Sequence, residues 1–164
     1  MNKVTKLILS ILLPQLVGGL GALVTISSEG SWYSSLQKPF FNPPPWLFGP
    51  VWTILYLMMG YALYLLSTSE HPSKKSVLRL FFLQLLLNGL WSPAFFGLES
   101  TLLGLIAIIP LWITILMCIK AFRPVQPTAA YLMIPYFLWV SFATLLTASI
   151  WYLNPEMAWI VLPK

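Results

Sequence analysis

The sequence predicts an all-α integral membrane protein, a bundle of five transmembrane helices with a long helix 1–helix 2 loop. Three observations carry that reading. Of 164 residues, 59% are hydrophobic and 8% charged, where a soluble chain carries roughly 25% charged residues. The charged residues leave five long empty intervals: Leu7–Ile26, Pro39–Ser69, Leu80–Leu98, Ser100–Ile119 and Pro124–Pro155. About 20 apolar residues cross the hydrocarbon of a bilayer, so each interval holds one helix and none holds two with a turn. Finally, the basic residues alternate between loops as the positive-inside rule requires.

The spans are expected at about 5–26, 46–68, 77–97, 101–121 and 128–152, as a single membrane domain over 1–164, with boundaries uncertain by about 2–4 residues. The first has Lys3 and Lys6 ahead of it, as a signal peptide would. It is longer than a signal's apolar region, and no small-x-small cleavage site follows, so it reads as a span. The second opens after Pro43, Pro44 and Pro45, because proline lacks an N–H and restricts the residue before it. That leaves 27–45 as the longest connection. Five spans put Lys3, Lys6, Lys74, Lys75, Arg79, Lys120 and Arg123 on one side, and only Lys38 and Lys164 on the other. The first side is expected to be cytoplasmic, with the N-terminus there and the C-terminus external.

This distribution also accounts for the net charge of +5. The cations set topology, and no nucleic-acid partner is expected. One cysteine, Cys118, excludes a disulfide framework and any multi-cysteine metal or iron–sulfur site. His71 lies in a polar loop, and no metal site is expected. The chain has no aspartate, and its four glutamates fall at loops or span ends. Ion-coupled carriers keep an ionisable group at membrane depth, and paired-carboxylate or Ser–His–Asp hydrolysis needs parts that are missing. No internal repeat supports an inverted-repeat transporter.

Neutral polar and aromatic residues fill the spans instead. Gln84, Asn88, Trp91, Ser92 and Phe95 share one face of the third span. In the fifth, Pro135, Trp139, Ala143 and Thr147 recur every four residues, flanked by Tyr136 and Phe142. In the second, Trp52 and Tyr56 are one turn apart, with Gly60 a turn further. These faces serve either as interhelical packing or as the wall of a flat apolar pocket. Trp32, Trp46, Trp151 and Trp159 fit an interfacial belt, whereas Trp52, Trp91 and Trp139 fall deeper. Gly18, Gly19, Gly21 and Ala22 permit close approach on the first span. Lys38 is the one cation of the long loop and can anchor the second helix at the interface.

The stretch WYSSLQKPFFNPPPWLFGPVWTILY, Trp32 to Tyr56, resembles the signature of the TspO/translocator protein family, the tryptophan-rich sensory proteins and peripheral benzodiazepine receptors. QLLLNGLWSPAFF (84–96) and PYFLWVSFATLL (135–146) resemble that family's third and fifth helices. The resemblance implies a membrane receptor or sensor for porphyrins, protoporphyrin IX above all, and for isoquinoline carboxamide and benzodiazepine-type ligands. Its implied site contains Tyr33 and Pro43 of the loop, Trp52 and Tyr56, Asn88, Ser92 and Phe95, and Trp139, Phe142 and Ala143. Some bacterial members are associated with light- and oxygen-dependent breakdown of protoporphyrin, so an enzyme using Trp52 and Trp139 is the alternative. A passive porphyrin or lipid conduit is a further one. No cofactor beyond protoporphyrin IX as ligand or substrate is implied, and the family commonly forms homodimers.

Two departures stand out. Leu146-Thr147 replaces the family's Leu-Asn. After Tyr152 no Lys or Arg follows within five residues, so the cholesterol motif of animal members is absent, and a bacterial inner membrane is the expected location.

The charge asymmetry generates a direct expectation. With Cys118→Ala as background, an impermeant thiol reagent should label Ser35→Cys in intact cells and Ser73→Cys only after lysis. The reverse pattern would refute the orientation.

Overall fold

The computed structural model describes residues 2–29 and 32–158, and among them no strand occurs. Trp159 and Lys164, assigned above to the aromatic belt and the charge tally, lie outside the described residues. The elements are α1 (Lys3–Glu29), the single turn α2 (Trp32–Ser35), α3 (Pro45–Thr68), α4 (Lys74–Ser92) with a π-helical continuation (Pro93–Gly97), α5 (Thr101–Phe122), α6 (Pro127–Leu132), α7 (Ile134–Leu153) and a 3₁₀ turn (Pro155–Met157). Among the described residues, five stretches are long and apolar enough to cross a membrane: Lys3–Ile26, Pro45–Thr68, Lys74–Gly97, Thr101–Phe122 and Pro127–Leu153.

Local chemistry sets where each begins. Pro44 caps α3 in an extended conformation, φ −63° and ψ 143°, and Pro45 takes the first helical position, where no N–H is needed. Ser100 caps α5 by accepting from the Leu103 N–H at 3.2 Å. The third span starts at Lys74, ahead of the expected 77, because nothing breaks the helix there and lysine stems can reach back to the headgroups.

Two departures from regular helix come from proline. At the end of α4, Pro93 offers no N–H, and the Leu98 N–H bonds its carbonyl at 2.9 Å while the Ser100 N–H bonds Phe95 O at 3.2 Å. This wider turn buries both Phe95 and Phe96. In the fifth span Pro135 cannot continue the ladder. A single helix was expected over 128–152, but the span breaks at Met133, whose N–H turns tightly to Ala130 O at 3.1 Å.

The expected loop is also shorter and more ordered. α1 runs to Glu29, α2 adds a turn, and the remainder folds down as a lid. Trp32, expected at the interface, is instead 6% exposed and lies edge-on to Phe95 at 5.4 Å. Trp46 and Trp151 face outward.

The lid is clasped by the end of α7. Asn154 accepts from the Gln37 N–H at 2.8 Å and donates to the Gln37 carbonyl at 2.9 Å. Beyond it, Ser100 donates to Ala158 O at 2.7 Å and Thr101 to Met157 O at 3.1 Å. The lid, the α4–α5 connection and the end of the described chain thus share one end of the bundle.

Below the lid, a core of Met59, Leu66, Phe81, Ile115, Phe122 and Tyr136 joins α3, α4, α5 and α7. α1 is peripheral, with leucines and isoleucines on its outer face from Ile8 to Ile26, as a lipid-facing helix should have. It is held where a Cβ on Gly60 would lie 2.6 Å from Ile11 Cα and 2.9 Å from Ser10 O. Gly60→Leu should therefore force α1 away from α3, at a cost of about 1–3 kcal/mol. Thermal unfolding in detergent reads this directly, and an unchanged melting temperature would contradict the packing.

Candidate functional site

Beneath the lid lies a cavity of about 410 Å³, within the range of about 300–1,000 Å³ typical of small-molecule sites. Tyr33 closes it from above. α3 contributes Phe48, Gly49, Trp52, Thr53 and Tyr56, and α4 with its π turn contributes Asn88, Trp91, Ser92, Phe95 and Phe96. α7 supplies Trp139, Ala143, Leu146, Thr147 and Ile150, and α1 supplies Gln15, Gly18, Gly19, Ala22, Thr25 and Ile26.

Its floor is a hydrogen-bonded bridge across three spans. The Tyr56 hydroxyl donates to Asn88 Oδ1 at 2.9 Å, and Asn88 Nδ2 donates to the Tyr136 hydroxyl at 2.9 Å. Asn88 is buried, so these bonds replace water for its amide. A Cβ at Gly18 would overlap the Tyr56 ring, so that ring rests directly on the α1 backbone.

The walls are aromatic. Trp52 stacks on Tyr56 at 5.3 Å and 25°, and Trp91 stacks on Phe95 at 5.6 Å and 15°. Trp139 meets Phe48 at 5.9 Å. The buried indole N–H groups of Trp91 and Trp139 have no acceptor among the described residues, a cost of about 1–3 kcal/mol each. No Asp, Glu, His, Cys, Lys or Arg is among the lining residues. The polar lining is neutral, suited to stacking and hydrogen bonding and not to acid–base chemistry. Lys38 stays in the lid, 4.6 Å from the Tyr33 ring centroid, donating to Leu36 O at 3.2 Å.

Of the residues singled out from sequence, Tyr33, Trp52, Tyr56, Asn88, Ser92, Phe95, Trp139 and Ala143 meet at this cavity. Pro43 and Phe142 do not line it. Pro43 is buried within the lid, its carbonyl accepting from Asn42 Nδ2 at 3.1 Å. Phe142 packs behind the wall, 6.2 Å from Phe41 and 5.6 Å from Trp139. Gln84 lies deeper, with Nε2 3.9 Å from Met59 Sδ and no partner for Oε1.

The resemblance implied the first helix beside the site without naming its residues, and Phe48 was not singled out. Phe48 lay inside the proline–aromatic stretch and was findable. α1 carries no aromatic residue, and its signals were its run of small residues and the amide of Gln15.

A family model described as the TspO/MBR family matches residues 10–153. The tryptophan-rich protein TspO of Chlorobaculum tepidum is 46% identical over 158 residues, covering 94% of this chain and 100% of that protein. The tryptophan-rich protein TspO of Archaeoglobus fulgidus is 41% identical over 151 residues, covering 92% and 98%. The translocator protein of Bos taurus is 38% identical over 146 residues, covering 87% and 86%.

The bridge makes Asn88 the residue whose loss strands two hydroxyls. Asn88→Leu should lower unfolding stability by about 1–3 kcal/mol. Adding Tyr56→Phe and Tyr136→Phe should recover part of the loss, since removing all the partners leaves nothing unsatisfied. Denaturant unfolding of the single and triple variants decides it, and a single variant as stable as the parent would contradict the bridge.

Proposed function

Because the chain belongs to the TspO/MBR family of membrane proteins, we propose that it is a membrane receptor binding protoporphyrin IX and similar flat apolar ligands in the aromatic cavity. The observation that carries the reading is the cavity itself, with Trp52, Trp91 and Trp139 on three different spans facing one space. Indole faces stack on a planar ring, and the lid end lies nearest the water that a porphyrin's carboxylates require. Isoquinoline carboxamide and benzodiazepine-type ligands present the same flat apolar shape.

The proposal extends to location and assembly. The chain would sit in a bacterial inner membrane with its N-terminus cytoplasmic and its lid outside, as a homodimer. Cross-linking in native membranes reads the last of these.

That Trp52 and Trp139 border the same cavity favours a second reading, light- and oxygen-dependent breakdown of bound protoporphyrin. Indole can donate an electron to an excited porphyrin without a metal or an acid–base group. A single defined product that is lost on Trp52→Phe supports catalysis. A product mixture insensitive to that change means photobleaching.

Quenching of tryptophan fluorescence by protoporphyrin IX in the dark tests the receptor reading. Ala143 lines the cavity one turn from Trp139, whereas Thr144 donates to Val140 O at 2.7 Å and lies outside the lining. Ala143→Thr overfills the site, costing about 1–3 kcal/mol, or about 5- to 150-fold in affinity. Thr144→Ala should leave affinity nearly intact. Equal effects, or the reverse order, would mean that another face of α7 meets the ligand.

A further inference from the structure

Six of the described glycines are explained by packing. At Gly18, Gly21, Gly60, Gly89, Gly97 and Gly104 an added Cβ would meet a neighbouring side chain or backbone. Gly19 and Gly49 are different: a Cβ at either would meet no described residue within 4 Å. Glycine is among the costliest residues in a helix interior, and close packing accounts for neither of these two. Both are exposed, and both line the cavity.

Their positions share one opening. α1 and α3 run antiparallel, in register where Gly60 meets Ile11 and where Gln15 Nε2 donates to Thr53 O at 3.0 Å. One turn nearer the lid on each helix come Gly19 and Gly49. Exposed Ala22 and Thr53 border the same space. The Gln15–Thr53 bond closes its inner end, and the side chains around it, Leu16, Leu20, Leu23 and Ile54, are apolar and more than half exposed. Both glycines lie within membrane-crossing stretches. The opening therefore faces lipid.

The route from water is closed by comparison. Trp32 and Leu36 are buried at 6% and 5% exposure, Tyr33 covers the cavity, and the Asn154 clasp holds the lid at Gln37.

We propose that the ligand enters and leaves from the bilayer, through a slit between α1 and α3 that Gly19 and Gly49 keep free of side chains. This rests on the receptor reading and adds to it the ligand's class and source: a flat apolar molecule dissolved in the membrane, edge-first in its approach. A doorway of this kind changes the rates of entry and exit together and leaves the affinity to the cavity walls.

The test uses the full chain in phosphatidylcholine vesicles, with protoporphyrin IX as probe and stopped-flow tryptophan quenching in the dark. The double variant Gly19→Leu/Gly49→Leu should slow both association and dissociation by about tenfold, whereas side chains that merely crowded the cavity would speed dissociation. In the unaltered protein, doubling the lipid at fixed porphyrin should roughly halve the observed association rate, since the pool is ligand per lipid. Asn154→Ala, which unclasps the lid, should leave both rates unchanged. Unchanged rates in the glycine variant, faster exchange in Asn154→Ala, or an association rate indifferent to lipid would each overturn the route. Absence of dark quenching in the unaltered protein would overturn the receptor reading and the route with it, whereas the other failures, in a protein that binds, overturn the route alone.

Discussion

Everything in the upper half of the bundle depends on one buried amide. Asn88 accepts a hydrogen bond from Tyr56 and donates one to Tyr136, tying α3, α4 and α7 at a depth where water cannot substitute. In lipid, apolar side chains gain little by leaving the hydrocarbon for one another, so directional polar contacts and close packing must set which helices meet. The bridge does so without a charge. It is also the floor on which Trp52 rests through Tyr56, so the same bonds that fix the helices fix the stacking surface of the cavity.

The choice of neutral groups has a further effect. An ionisable residue in this position would have to lose its charge or find a counter-ion. Tyrosine and asparagine need neither. The cavity consequently offers shape, aromatic walls and neutral hydrogen-bonding groups. The lid completes this arrangement: Trp32 and Tyr33 pack against Phe95 and Phe96, and the π turn after α4 is what brings both phenylalanines inward.

Much of this was legible in the sequence because the bilayer imposes a severe rule. Charges are expelled from spans, so five empty intervals gave five crossings, and an amide inside a span had to turn inward, as Asn88 does. The tryptophans at 52 and 139 were legible as deep for the same reason. What was hidden depends on contacts between distant residues. Nothing near Asn154 announces a partner at Gln37, and nothing near Trp32 announces that Phe95 will cover it. Phe142 shares the aromatic character of its neighbours and sits one position along the helix from Ala143, about 100° round, which is enough to put it behind the wall. The residues of the α1 wall were harder to name, because a surface made largely by missing side chains leaves little beyond Gln15 to point at.

The clasp between Asn154 and Gln37 joins residues 117 positions apart, and that separation sets an order of events. A chain emerging at about 5–20 residues per second leaves the lid without its fastening for roughly 6 to 23 s after Gln37 is made. The cavity's roof is the first long segment to be synthesised between spans and among the last parts to be secured. During that interval the upper half of the nascent bundle is roofless, and only insertion of the fifth span completes it. Maturation of the compartment is thus timed by its final helix, and a chain that stops short of residue 154 would carry the walls of the site without the means to shut it.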